Sequence, residues 1–475
     1  MLNSKIINGV LMVCIAVAGC KAPAITEYAA NKSVPVSYGS GTDSANLATL
    51  QWRNFFTDPN LQQLIDTALK NNQELKITLQ EIEIARADIR VKQGALLPTV
   101  GLRGGIGVEK VGRYTSQGAG DATTEIEPGK EMPDPLMDYG VAAYANWEVD
   151  IWKKLRTSKQ AAITRWLSTL EGKNFVLTNL VAELASSYYE LLALDSKLEI
   201  IRQNIKLQQD ALAIVKVQKE GARATELAVQ KFEAEVLKSQ SLEYDVLQDI
   251  RETENTINLL LGRYPKEITR DKRLLLDIVP AAVKAGVPSQ LLANRPDIRQ
   301  AELELAAAKL DVKVARAEFY PSFSINAALG FQAFKPSYLV KFPESLLYSL
   351  TTDLAGPLIN RNAIKAEFSK ASSEQLRAMY NYERTILNAY LEVSTRLSKL
   401  DNLEKGYALK SKQVDALTRS IEVANDLFKS ARADYFEVLM TQRDALEAKL
   451  ELIENRKEQL VAVVGVYRDL GGGWK

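Results

Sequence analysis

The chain has 475 residues, 46% hydrophobic and 25% charged, enough for two or three ordinary domains or one duplicated body. Lys and Arg number 60 against 59 Asp and Glu, a balance that gives no support to wholesale nucleic-acid binding. Histidine is absent and the only cysteines are Cys14 and Cys20, so the body holds no disulfide, no Cys or His metal site and no Cys nucleophile.

Lys5 and the apolar run from Ile6 to Val17 read as a signal peptide, because about a dozen apolar residues are too few to span a bilayer as a helix. The run ends in Val17-Ala18-Gly19-Cys20, which resembles a bacterial lipobox. That resemblance implies removal of residues 1–19 and lipidation of Cys20. Several acyl chains anchor stably where one is marginal. A plain signal peptide with an incidental Cys is the alternative. Lys21, not Asp, follows the Cys, so the inner-membrane retention pattern is missing and the outer membrane is favoured. Residues 20–57 then form a lipidated tether. Its 21–55 stretch is rich in Ala, Ser, Thr, Gly and Pro, lacks periodicity, and is expected to lie extended.

A first repeat is expected over 58–265. Asp58-Pro59 reads as an N-cap followed by Pro at the first helical position, opening a helix that runs to about Leu97, where Pro98 ends it. Strands are expected from Leu97 to about Gly112 and from Leu136 to Trp152, on either side of a polar loop, Arg113 to Pro135. Between about Leu155 and Leu261 the residues Leu177, Leu180, Leu184, Tyr188 and Leu191 keep three- and four-residue spacing, the mark of one buried helix face. Gly221 permits a turn there, giving a helical hairpin with its tip near that residue. Leu259-Leu-Leu-Gly-Arg-Tyr-Pro265 stops it.

Residues 266–288 connect to a second repeat over 289–475. It holds a helix to Phe319, strands Tyr320 to Phe334 and Leu346 to Ile359 around a shorter loop, and a hairpin from Asn362 to Leu470 with its tip near Ser430 to Glu437. No long apolar segment follows the signal peptide, so transmembrane helices are excluded. The repeats register without a gap at the helix–strand handover. Pro98 and Pro321 stand 223 residues apart, as do Gly107 and Gly330. Pro98 and Pro321 are expected to mark the level where helix gives way to barrel. At the tips, Gly221-Ala222-Arg223-Ala224 lies over Ser430-Ala431-Arg432-Ala433.

Four strands cannot close a barrel, and lipid tolerates no open sheet edge. If these strands span a membrane, copies of the chain must pool them. Three copies give twelve strands, and two give a narrow eight-stranded barrel. A soluble four-stranded sheet is the alternative. Helices of roughly fifty residues reach on the order of 75 Å and need neighbours alongside. A hollow trimer and a non-conducting trimeric coiled-coil scaffold both satisfy that need.

Several motifs now resemble the TolC/OprM-like outer-membrane factors, the efflux lipoproteins of tripartite export systems. They are Leu291-Leu292-Ala293-Asn294-Arg295-Pro296-Asp297-Ile298, Ala315-Arg316-Ala317-Glu318-Phe319-Tyr320-Pro321-Ser322, Glu254-Asn255 with Leu259-Leu260-Leu261-Gly262, and Tyr467-Arg468-Asp469-Leu470-Gly471-Gly472-Gly473-Trp474. The resemblance implies a mainly α protein with a membrane β-barrel: a homotrimer with a twelve-stranded outer-membrane barrel and a periplasmic α-helical barrel built from long hairpins. It implies a passive exit duct for drugs or other small molecules, a periplasmic adaptor (membrane fusion protein) docked at the tips, an inner-membrane pump of RND type that supplies the energy, and contact with outer-membrane lipid. No cofactor beyond the lipid on Cys20, no catalysis and no nucleic acid are implied.

The resemblance also gives the tips roles. Arg432-Ala433-Asp434-Tyr435-Phe436-Glu437-Val438-Leu439 is similar to the family's tip segment, where an acid faces the axis. Here Glu437 holds that place. Three copies would form a carboxylate ring that favours cations and rejects anions. Arg432, Asp434 and Tyr435 are candidates for contacts that hold the tip shut, with Arg223 and Glu226 facing them from the first hairpin. Each has a solvated helix face as its alternative. Arg295-Pro296-Asp297 reads as a structural helix start. Trp147, Trp152 and Tyr144 fit either an aromatic girdle or packing at the helix–barrel joint. Within the same architecture, export of a protein, a siderophore or a metal ion is the alternative to small-molecule efflux.

Overall fold

The computed structural model describes residues 22–38, 46–271, 275–280, 283–356, 361–430 and 432–474. Cys20 and the lipobox lie outside them, as does Ala431. The principal elements are α1 (Pro59–Asn71), α2 (Gln73–Gly94), β1 (Thr99–Glu109), β2 (Leu136–Glu148), α3 (Lys154–Glu220), α4 (Glu226–Leu260), α5 (Pro296–Ala317), β3 (Ser322–Ala333), β4 (Leu346–Ala355), α6 (Asn362–Lys429) and α7 (Tyr435–Asp469). Helices α3 and α6 have 67 and 68 residues, longer than the fifty or so expected.

The duplication carries through to the elements. Helices α2 and α5 have 22 residues each and stand 223 apart. Helices α4 and α7 have 35 each and stand 209 apart. The offset drops by 14, and the loops account for it: residues 110–135 number 26, residues 334–345 number 12. The longer loop is not irregular, as its polar composition suggests, but holds a short helix, Ser116–Asp121, and a ribbon of Glu125–Glu127 with Lys130–Glu131. Thr115 caps that helix by accepting from the Gly118 amide at 3.1 Å.

The chain divides into two compact units. The first takes in Ile84–Trp166 and Leu303–Met379 and contains the sheet, ordered β1-β2-β3-β4 and antiparallel throughout. Both helix–strand handovers lie here, with Pro98 just before β1 and Pro321 just before β3. The end of β2 and the turn that follows it peg both. The Trp147 indole donates to the Leu96 carbonyl at 3.0 Å, and the Trp152 indole donates to the Pro321 carbonyl at 2.7 Å while stacking on Tyr320.

Asp150 heads α3 by accepting from the Leu155 amide at 3.0 Å and the Arg156 amide at 2.9 Å. Burial pushes its carboxyl up, but the Arg156 and Leu155 hydrogen bonds outweigh that and leave it below the usual carboxylate range. A depressed carboxyl contributes stability above its unfolded-state value and loses it as pH falls through the folded value. Asp150→Ala is therefore expected to lower stability by about 0.5–2 kcal/mol near neutrality. The deficit should shrink in acid, which thermal unfolding at several pH values reads out.

The second unit takes in Ala30–Glu83, Leu167–Glu302 and Tyr380–Lys475. Asp58 caps α1 as expected, accepting from the Asn60 amide at 2.8 Å, and it also accepts from the buried Tyr188 hydroxyl. The single helix expected up to Leu97 is instead broken at Asn72, and the one expected up to Phe319 is broken at Arg295. At both breaks the side chain leaves its helix to serve another, and at the second the following Pro296 also turns Arg295 out of the α region. Asn72 caps α2 and donates to the Leu260 carbonyl at 2.9 Å, whereas Arg295 donates to the Asp469 carbonyl at 3.0 Å. Asn72 and Arg295 are 223 apart and Leu260 and Asp469 are 209 apart, so these are the same joint in the two copies.

A left-handed glycine completes each joint. Gly262 has φ +65° and Gly471 has φ +91°, and a Cβ on either would lie 2.5 Å from the carbonyl of Asn71 or Asn294. The stretch expected to be an extended tether is only partly so. Residues 22–38 lack regular structure, but Leu47, Ala48, Trp52 and Phe56 are buried, and Phe55 stacks on Tyr467 at 4.1 Å. Four large apolar side chains, Leu47, Trp52, Phe55 and Phe56, in ten residues are too few to show a period, yet enough to pack.

Candidate channel wall and helical tips

Register sorts the strands into two faces, because alternate residues of a strand point to opposite sides. Val100, Leu102, Ile106 and Val108 of β1 pair with Ala145, Ala143, Tyr139 and Met137 of β2. Val141, Ala143 and Trp147 pair in turn with Phe331, Leu329 and Ile325 of β3. Leu329 and Ala327 pair with Tyr348 and Leu350 of β4. This face is apolar and largely solvent-exposed: Leu102, Ile106, Val141, Leu329, Tyr348 and Leu350 all project from it. An exposed apolar sheet face of this size belongs against lipid.

The opposite face is small and polar. Asn146 donates to Asn326 at 2.5 Å, Asn326 donates to Asp353 at 2.8 Å, and Gln332 donates to Asp138 at 2.9 Å. Tyr144 lies on this face over Gly101, which removes it from any lipid-facing girdle. Strands β1 and β4 are the two edges of the sheet, each paired on one side only among the described residues.

At the tips, the first hairpin turns through a Schellman motif. The Arg223 amide donates to the Gln218 carbonyl at 2.7 Å and the Ala222 amide to the Lys219 carbonyl at 2.9 Å. The left-handed residue is Ala222, φ +54°, rather than the Gly221 that the sequence suggests. Gly221 still ends the helix normally, its amide donating to Val217, so the reversal falls one residue later. The second tip closes alike, with the Arg432 amide donating to the Leu427 carbonyl at 2.8 Å.

Each tip residue singled out by sequence has a definite place. Arg223 and Arg432 sit in the two turns with exposed side chains. Glu226 begins α4, forms an ion pair with Lys219 and accepts from Gln230 at 2.9 Å. Hydrogen bonds from Lys219 and then Gln230 hold its carboxyl below the usual range. Asp434 occupies the N-cap of α7 without capping it, unlike Thr225, whose hydroxyl accepts from the Ala228 amide at 3.2 Å. Glu437 is exposed in the first turn of α7.

Tyr435 differs from the rest, because it packs with Phe428 and Leu439 against Val215, Val229 and Phe232. That cluster and the Lys231 ammonium over the Phe436 ring, 5.1 Å from its centre, bring the two tips of one chain together. Among the described residues, Arg223 and Glu226 form no hydrogen bond or ion pair with Arg432, Asp434 or Glu437; the tips are joined by apolar packing.

The node the sequence left as a plain helix start is Arg295. Its guanidinium bonds Asp297 at 2.7 and 3.0 Å and Glu392 at 2.8 Å, and Asp469 beside it takes Arg396 at 2.5 Å. Burial works against the charge of Arg295, but the carboxylates of Asp297 and Glu392 outweigh it and raise its pKa. The Arg-Pro-Asp motif itself was the available signal.

A sheet with lipid on one side, polar groups on the other and two open edges is a segment of a transmembrane channel wall. The chain belongs to the outer membrane efflux protein family, which matches residues 64–263 and 287–472, and it is an outer-membrane efflux protein. It is similar to the pyoverdine export outer membrane protein OpmQ of Pseudomonas aeruginosa, 28% identical over 90% of this chain and 88% of that one. It is also similar to the solvent efflux pump outer membrane protein SrpC of Pseudomonas putida, 26% identical over 92% and 91%. The Campylobacter jejuni CmeC outer membrane channel shares its fold, with a TM-score of 0.84 and 19% identity over 95% of this chain and 94% of that one.

Proposed function

We propose that three copies of this chain join their sheet edges into one twelve-stranded barrel and act as the passive exit duct of a tripartite efflux system. The observation that carries this reading is the open four-stranded sheet with opposed apolar and polar faces. Its strands alternate in direction, so the β4 edge of one copy meets the β1 edge of the next antiparallel. The apolar faces then form a continuous band against lipid, and the polar faces line the pore. An inner-membrane pump of RND type supplies the energy through a periplasmic adaptor at the helical tips, and the chain itself breaks no bond. Lipid on Cys20 anchors each copy. Relatives named for pyoverdine export and solvent efflux support a small-molecule cargo.

In this reading three Glu437 carboxylates ring the tip. Purified full-length protein in planar bilayers is expected to conduct, with cations preferred. Glu437→Gln should bring the cation-to-anion permeability ratio, read from reversal potentials in a salt gradient, down towards one. A cross-linked, folded trimer that carries no current, as wild type or with Glu437→Ala, would identify a scaffold instead.

A further inference from the structure

Register also sorts the polar face of the sheet into levels. At the strand ends that join the helices, Glu148, Ser324 and Asp353 share one level. Further along, Arg103, Ala142, Gly330 and Leu347 share another, and Asp138 and Glu109 follow towards the loops. The four strands thus place acids at both ends of this face and one cation, Arg103, between them. Three of the acids are engaged: Glu148 pairs with Lys154 at 2.7 Å, Asp353 accepts from Asn326 at 2.8 Å, and Asp138 accepts from Gln332 at 2.9 Å. Arg103 is exposed and has no hydrogen bond or ion pair among the described residues. Its level and the next hold only small residues beside it on β1, β2 and β3: Ala142, Gly330, Gly105 and Gly140.

In one copy Arg103 is a solvated side chain on an open sheet. Three copies change its surroundings. Twelve strands spaced and tilted as in outer-membrane barrels enclose a radius of about 12 Å. Three long side chains reaching inward at one level bring their guanidiniums within roughly 10 Å of one another, near the Debye length at physiological salt. A multivalent anion on the axis then feels all three charges, and the low-dielectric barrel wall focuses their field. Each guanidinium also offers a fork of donors that matches carboxylate and phosphate oxygens. We propose that the three Arg103 side chains form an anion-holding waist inside the barrel, a subsite for carboxylate or phosphate groups of the cargo as it leaves. The acids at either end of the same face oppose it in sign, so an anionic group rests there and is released. This rests on the reading of the chain as a three-fold duct, because one copy holds a third of the site.

The test uses full-length protein in planar bilayers, with inorganic tripolyphosphate added on the side that the barrel mouth faces. It should block the wild-type current reversibly. Arg103→Gln should raise the concentration for half block roughly tenfold or more. Arg103→Lys keeps the charge without the fork and should fall between the two. Titration calorimetry on the detergent-solubilised protein gives a reading that needs no current: wild type should bind tripolyphosphate, and Arg103→Gln should not. Heat-modifiable migration on gels checks that each variant assembles, as expected for a side chain without partners. A wild type that conducts without block, or an Arg103→Gln channel blocked at the wild-type concentration, would overturn the waist. If binding depends on Arg103 but wild type carries no current, the site stands and the duct reading fails.

Discussion

Replacing Arg295 with Ala should destabilise the protein by about 3–5 kcal/mol, the range for removing one partner from a buried charge cluster. The guanidinium is buried and satisfies Asp297, Glu392 and the Asp469 carbonyl together. Its loss strands the Asp297 carboxylate and removes one of the bonds that fasten the end of α7. Asn72→Ala removes the corresponding bond of the first copy. It involves no charge and should cost about 1–3 kcal/mol, the price of unpaired buried polar groups. Thermal midpoints of the two variants in detergent, side by side, check the difference. Equal, small shifts would show that the charges of the second joint add nothing to the shared geometry. Arg295→Lys should not rescue, because one ammonium cannot reproduce the two parallel bonds to Asp297.

Gly330→Val should prevent barrel formation. A Cβ at Gly330 would lie 2.2 Å from the Val141 carbonyl oxygen and 2.5 Å from the Ala142 Cα. Both are backbone atoms of the paired strand, so no rotamer change relieves the clash, and β2 and β3 must separate or slip. A slip of one residue would turn the apolar face towards water. The expected loss is roughly 3–5 kcal/mol, at the far end of what single substitutions do. Gly105→Ala is the control, since nothing lies within 4 Å of its Cβ position. Heat-modifiable migration on gels and recovery in the outer-membrane fraction distinguish the outcomes. Normal assembly of Gly330→Val would mean that the β2–β3 register is looser than described.

Much of this protein was legible because its repeats are long and its periods differ. The three- and four-residue spacing from Leu177 to Leu191 in α3 and a period of two in β1 leave little ambiguity about type. What was missed was short or non-local. The break at Asn72 depends on the Leu260 carbonyl, 188 residues away, and no local pattern records that; at Arg295 the following Pro296 was a local signal, but the bond to the Asp469 carbonyl, 174 residues away, was not. The core segment around Trp52 and Phe56 is too short to repeat a period. The left-handed turn at Ala222 went to the neighbouring Gly221 because glycine is the commoner choice there. At the tips, the apolar cluster that takes in the Tyr435 ring joins residues of both hairpins, and no local pattern records that pairing.

The 14-residue difference between the two loops has a practical side. In a helix, an insertion must respect the turn or rotate every later side chain off its face. In a strand it must be even. At a loop, the extra closure entropy of 26 residues over 12 is about 0.7 kcal/mol. The shorter loop, residues 334–345, is therefore a graft site: a foreign peptide of similar length placed there should ride to the cell exterior on an otherwise unaltered channel, which makes this chain a scaffold for surface display.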